Sequence, residues 1–167
     1  MPAETVVGTG PMPAEVTAPA VHHFQLRVYY EDTDAAGIVY YANYLRFAER
    51  ARTEYMRAAG VDQRTLRDRE GVLFAVRRCE IDYLLPARLD DSLDVVSRVI
   101  ALRGASVTMQ QTVMRAAEIL AQLSVRVACV DAAGRPARIP GWVRALVAVP
   151  GAGVDAGVGP GVGEGSG

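Results

Sequence analysis

From Phe24 to Tyr30 apolar and polar side chains alternate, as Phe24-Gln25-Leu26-Arg27-Val28-Tyr29-Tyr30. A period of two predicts a strand. A polar, glycine-bearing stretch follows, from Glu31 to Gly37. The period then lengthens. Tyr44, Phe47, Ala48, Ala51, Tyr55 and Ala58 recur at helical spacing, which gathers them on one face of a long helix. Asn43 suits its N-cap and Gly60 its C′ position. Residues Arg64 to Glu70 predict a short second helix.

From Val72 onward the pattern alternates again. Cys79, Ile81 and Tyr83 oppose Arg78, Glu80 and Asp82, and Pro86 closes that strand. Further alternating runs cover residues 94–101, 107–113 and 121–130. The connections at 103–105 and 115–118 are short, so those neighbours are expected to be antiparallel hairpins. A Gly-Arg-Pro loop at 134–136 leads to a terminal helix around Trp142 to Val147. Strand, helix, then four strands is an α+β order, with the helix packed on one face of an antiparallel sheet.

The ends differ from this middle. Residues 1–20 are rich in Pro, Ala, Gly and Thr, and residues 150–167 are rich in Gly with scattered Val, Pro and acids. Neither offers enough apolar surface to offset its ordering entropy. Both are expected to be flexible tails around one domain at 21–149. Half of the 167 residues are hydrophobic, enough for a core of that size.

Net charge is −1, which supplies no basic field for nucleic acid. All basic residues are Arg, whose planar fork suits phosphate oxygens. Two cysteines, Cys79 and Cys129, sit inside strand patterns and are expected as buried, reduced core residues. Together with the lack of a secretory signal, that predicts a cytoplasmic location. No run of about 18 apolar residues predicts a membrane span. The histidines, His22 and His23, are expected as solvated residues before the first strand. That leaves no histidine for a Ser–His–Asp or Cys–His nucleophile. No zinc-ligand spacing appears.

The chemistry-bearing stretch runs from Asp34 to Asn43, a carboxylate and a glycine ahead of a helix start. N–H groups at a helix N-terminus lack intrahelical acceptors and carry partial positive charge. They can hold the oxyanion that forms on an attacked carbonyl. A carboxylate beside them can attack or activate water, and Gly37 lets backbone approach a ligand. Asp and Gly before a helix are equally ordinary turn and capping residues.

The run from Val28 to Tyr44, with Asp32-Thr33-Asp34-Ala35-Ala36-Gly37 at its centre, resembles the signature of the 4-hydroxybenzoyl-CoA thioesterase-like family. Within it, the likeness is greatest to the Tol–Pal-associated (YbgC-type) acyl-CoA thioesterases. It continues through Phe47 to Glu54 and resumes at Pro86-Ala87-Arg88-Leu89-Asp90-Asp91, Arg103-Gly104-Ala105-Ser106 and Cys129-Val130-Asp131. The resemblance implies a hot-dog fold, a sheet wrapped around a central helix. It implies hydrolysis of an acyl-CoA with no cofactor or metal, CoA being part of the substrate. Asp34 matches the family's catalytic aspartate. Tyr41 matches the position whose backbone N–H binds the thioester carbonyl. Many Tol–Pal-associated members have His there, and this chain has the Tyr of the 4-hydroxybenzoyl-CoA enzymes. Glu49 falls where some relatives contact the acyl group or attacking water; an ion pair with Arg46 or Arg52 is the alternative. Arg103 and Ser106 match a phosphate-contacting turn; an exposed hairpin turn is the alternative. The family assembles as homodimers or homotetramers with sites between subunits.

Two further readings stand beside this one. A non-catalytic acyl-binding or scaffold module would share the fold. A thioesterase acting on acyl carrier protein would use Arg46, Arg50, Arg52 and Arg57 as a basic docking face.

Overall fold

In the computed structural model, which describes residues 19–147, the chain opens with strand β1, His22–Arg27. A single 3-10 turn at Tyr30–Asp32 follows, then helix α1, Asn43–Ala58, and helix α2, Gln63–Glu70. Strands β2 (Val72–Tyr83), β3 (Ser92–Leu102), β4 (Ser106–Arg115) and β5 (Glu118–Asp131) come next, and helix α3, Gly141–Val147, ends the described chain. The expected tails lie outside the described residues. No described helix is long and apolar enough to cross a membrane.

The five strands form one antiparallel sheet in the order β1-β3-β4-β5-β2. The β3–β4 and β4–β5 neighbours are the expected hairpins. The strand after the helices, β2, does not pair with its sequence successor; it closes the far side against β5. Pro86 and the turn at Asp90, with φ +66°, carry the chain back across to β3.

Helix α1 packs chiefly against β1, β3 and β4. Its buried residues Tyr44, Phe47, Ala48, Ala51 and Tyr55 are the stripe read from the sequence, except that Ala58, in the last turn, is exposed. Ala48 and Ala51 are fully buried; their small side chains let the helix axis come close to the sheet. Val95, Val113, Leu123 and Val125 meet that face from the strands. Each such side chain contributes about 1.5–3 kcal/mol on leaving water.

One polar knot lies inside this apolar layer. Gln111, fully buried, donates from Nε2 to the Ala48 carbonyl and to Ser97 Oγ, both at 2.9 Å. Its Oε1 accepts from Arg52 Nη1 at 2.8 Å. Buried polar groups must be paired, and here the pairing ties α1 to β3 and β4.

Four expectations need correction. The first strand stops at Arg27, not Tyr30, because the Tyr29 N–H turns to the Asp32 carboxylate at 2.8 Å and starts the 3-10 turn. Asn43 is not the N-cap. Ala42 holds that position without a side-chain bond, and Asn43 is the first helical residue, buried. His22 and His23 belong to β1. His23 Nδ1 meets Asp94 Oδ2 at 2.7 Å, while the His22 ring stands edge-on to Tyr55 with centroids 6.0 Å apart. Cys129 is buried, but Cys79 is exposed. Alternation correctly gives Cys79 the same face as Ile81 and Tyr83, which is the α1 face, since Cys79 pairs with Val125 and Ile81 with Leu123. Cys79 is exposed because β2 is an edge strand beyond the strands that α1 covers.

Candidate active site

Asp34 sits at the start of a tight loop whose two legs are tied. Thr33 bridges Val39, the Asp34 N–H donates to the Ile38 carbonyl at 2.9 Å, and the Gly37 N–H donates to the Asp34 carbonyl at 2.9 Å. Gly37 adopts φ +73°, and a Cβ there would meet nothing within 4 Å. The glycine is therefore required by backbone conformation rather than by space. The loop is fixed to the body of the protein by the Ile38–Arg88 bridge and by the Val39 N–H on the Ala87 carbonyl at 2.9 Å.

The Asp34 side chain is exposed. Its Oδ1 accepts from the Ala36 N–H at 2.8 Å, an Asx-turn that fixes the carboxylate's direction. Oδ2 has no partner among the described residues. The carboxylate thus keeps one oxygen unpaired.

Asp32 joins this loop to the helix start. Its carbonyl accepts from the Tyr40 N–H at 2.8 Å and from Asn43 Nδ2 at 2.9 Å. Two bonds on one buried carbonyl set the direction in which the chain enters α1. Among the described residues, the N–H groups of Tyr41 and Ala42 have no hydrogen-bond acceptor. They stand ahead of a helix of 16 residues, where the partial positive charge favours an oxyanion. The Tyr41 carbonyl accepts from Tyr83 Oη at 3.0 Å, so the end of β2 holds this peptide in place.

Around it lies an aromatic floor. Tyr83 is edge-on to Tyr44 (5.5 Å) and to Tyr41 (6.4 Å). With Ile38, Leu84 and Pro86 they line an open groove of about 310 Å³. Tyr44 Oη accepts from the Ala87 N–H at 2.9 Å. Burial pushes the Tyr44 and Tyr83 phenols up.

The other expected residues lie apart from Asp34. Glu49, two turns further along α1, is exposed; its Oε1 accepts from Thr53 Oγ1 at 2.9 Å, in place of an ion pair with Arg46 or Arg52. It stands on the rim of a separate cavity of about 130 Å³ beneath the second half of α1. Arg103 and Ser106 close the β3–β4 hairpin, the Arg103 N–H donating to the Ser106 carbonyl at 2.8 Å. That hairpin follows the end of β3, whereas the Asp34 loop is fixed beside its beginning. A strand of that length spans roughly 33 Å. One chain therefore does not bring Arg103 and Ser106 to its own Asp34.

Sequence reasoning missed the contributions of Asp32, Tyr83 and Gln111. Asp32 lay inside the quoted motif, but its carbonyl, not its carboxylate, ties loop to helix. Tyr83 is 42 residues from Tyr41, and only the β2–β5 pairing brings it there. Arg52 does not extend a surface basic face; its guanidinium turns inward to Gln111. Arg46, Arg50 and Arg57 are exposed.

A five-stranded antiparallel sheet packed against one long helix is the architecture of the hot-dog thioester hydrolases. The model of the Thioesterase-like superfamily matches residues 28–147, and the chain belongs to that family. It is 46% identical to the acyl-CoA thioesterase YbgC of Haemophilus influenzae over 123 residues, 73% of this chain and 90% of the relative. A probable thioesterase from Bartonella henselae, solved by crystallography, is 39% identical with a TM-score of 0.70, covering 72% of this chain and all of the other. A crystal structure of 4-hydroxybenzoyl-CoA thioesterase complexed with 4-hydroxybenzoyl-CoA shares the fold at 21% identity and a TM-score of 0.74, over 78% of this chain and all of the other.

Proposed function

We propose that the chain hydrolyses an acyl-CoA thioester to a free carboxylic acid and CoA, with Asp34 as the catalytic carboxylate and the Tyr41 N–H as the donor to the thioester oxygen. The observation that carries this reading is the free Asp34 Oδ2 on a rigid loop ahead of the unpaired Tyr41 N–H. Bond formation at the thioester carbon pushes an electron pair onto its oxygen. The N–H groups at the helix start take up that charge. Collapse of the adduct then breaks the C–S bond, and the CoA thiolate leaves and takes a proton.

Asp34 enters in one of two balanced ways. As a nucleophile it forms a mixed anhydride, which water cleaves to acid and free Asp34. As a general base it accepts a proton from water while the water oxygen bonds to carbon. Neither route calls for a metal or resident cofactor, and the expected cytoplasmic location is where acyl-CoA is found. The domain reading, 21–149, is supported by the family match over 28–147.

A homo-oligomer, dimer or tetramer, fits two features. The outer edge of β2 has no strand partner among the described residues, and Val76, Tyr83, Leu84 and Leu85 along and beyond it are exposed. Such an edge invites pairing with another chain. A neighbouring chain would also supply Glu49, and Arg103 with Ser106 for the CoA phosphates, which one chain holds away from its own Asp34. A carrier-protein substrate keeps only Arg46, Arg50 and Arg57 as an exposed basic face.

The test is thiol release from short, long and aromatic acyl-CoAs by wild type and Asp34→Asn. A folded variant should lose about a hundredfold or more in kcat. Retained turnover would remove Asp34 from the mechanism and favour an acyl-binding module.

A further inference from the structure

The cavity of about 130 Å³ under the second half of α1 is walled by Met56, Val99, Val107, Met109, Val143 and Val147. That volume is close to the ~150 Å³ of an apolar cavity that binds benzene. Two side chains on its lining do not suit an apolar guest.

Arg52 lines the cavity and is mostly withdrawn from solvent. Burial pushes its pKa down, an effect that nearby Glu49 opposes. A guanidinium carries five N–H donors, yet its one acceptor among the described residues is the neutral Gln111 Oε1. No described carboxylate pairs with it. Withdrawn charges are normally paired, because Coulomb attraction is what offsets their lost hydration. Tyr55, one turn along the same helix, also lines the cavity and is 0% exposed. Its hydroxyl is buried with no hydrogen-bond partner among the described residues. Burial pushes its pKa up to about 12, so it stays protonated and able to donate. Buried hydroxyls are nearly always satisfied. Glu49, on the rim, is turned to Thr53.

From this pairing we infer that the cavity, with Glu49 on its rim, is the end of the acyl site served by a neighbouring chain's Asp34 and takes an acyl group tipped with a carboxylate, gripped by the Arg52 guanidinium and the Tyr55 hydroxyl. The inference rests on the thioesterase reading and narrows its substrate class. The methylenes of the acyl group fill the apolar wall. The terminal carboxylate supplies Arg52 with its missing charge and Tyr55 with its missing acceptor. Gln111 holds the guanidinium from the sheet side, so Arg52 is positioned before substrate arrives.

The experiment compares kcat/KM for two matched pairs, glutaryl-CoA with pentanoyl-CoA and adipyl-CoA with hexanoyl-CoA. Wild type should prefer the carboxylate-tipped member by about tenfold or more. Tyr55→Phe, which removes one oxygen, and Arg52→Gln should each cut that ratio at least threefold, chiefly through KM. Tyr55→Phe should melt at or above the wild-type temperature, since it removes an unpaired hydroxyl. A wild type that hydrolyses the plain acyl-CoAs equally well or better, or a ratio that both variants leave unchanged, overturns this inference alone. The second outcome would assign the Tyr55 hydroxyl to a buried water. A wild type that hydrolyses none of the four overturns the thioesterase reading and this inference with it.

Discussion

The side-chain amide of Asn43 donates to the carbonyl of Asp32, eleven positions earlier in the chain, across 2.9 Å in a site closed to solvent. This bond shares its acceptor with the Tyr40 N–H and so sets how the Asp34 loop enters the helix. Asn43→Ala removes the donor and leaves the acceptor with one partner. The expected cost is about 1 kcal/mol of stability. Activity should suffer more, roughly tenfold in kcat/KM, because the loop and the helix start shift together. Denaturant unfolding and acyl-CoA kinetics on the same preparation would check both. Equal activity would show that Tyr40 alone sets the geometry.

Gly37 gives a graded test of the loop. Its φ is +73° and its surroundings are open, so only backbone strain opposes a side chain. Gly37→Asn should be mild, since Asn tolerates the left-handed region. Gly37→Val should cost about 1–2 kcal/mol and lower kcat. If the two variants unfold at the same urea concentration, strain at this residue is not what the glycine relieves.

Gln111 is the buried link between α1 and the sheet. Gln111→Ala opens a hole and strips partners from Arg52 and Ser97. About 2–4 kcal/mol of stability should be lost. Gln111→Glu keeps the shape, replaces the donating amide with acceptors, and offers Arg52 a carboxylate. It should lose the Ala48 bond yet compete with a carboxylate-tipped substrate for Arg52. A chemical melt separates the first effect, and inhibition kinetics the second.

Asp62 caps α2, accepting from the Thr65 N–H at 2.7 Å. That bond holds its carboxyl below the usual carboxylate range. A depressed folded-state pKa means the cap's contribution is complete above the unfolded-state value near ~3.9. It is lost as pH falls through the lower folded-state value. Asp62→Ala should therefore lower Tm by roughly 2–4 °C at pH 7. The gap from wild type should close in acid. A gap that persists at the acid end would mean that charge on Asp62 is not the source.

Much of this molecule is legible in the chain itself. The helical stripe from Tyr44 to Tyr55, the alternation from Val72 onward and the short hairpins at 103–105 and 115–118 gave an α+β sheet on one helix. Local periodicity decides such features, because burial of one face is a property of spacing. The family signature around Asp34 located the candidate carboxylate and the helix start. Cys79 shows the limit. Alternation assigned its face, but whether that face is covered depends on where α1 lies across the sheet. Asn43 and His22 show it too. One traded capping for a buried bond to Asp32, and the other became part of a strand beside Tyr55.

Which segments are helix and strand, and which carboxylate and glycine precede the long helix, can be read along the chain, since these depend on neighbours a few residues apart. The tertiary structure decided the rest. It set Tyr83 under the Tyr41 carbonyl, turned Arg52 inward to Gln111, left the Tyr55 hydroxyl without a partner, and put Arg103 and Ser106 at the far end of the sheet from Asp34. Each of these depends on strand order and helix placement across the sheet, which join residues tens of positions apart and leave no periodic trace along the chain.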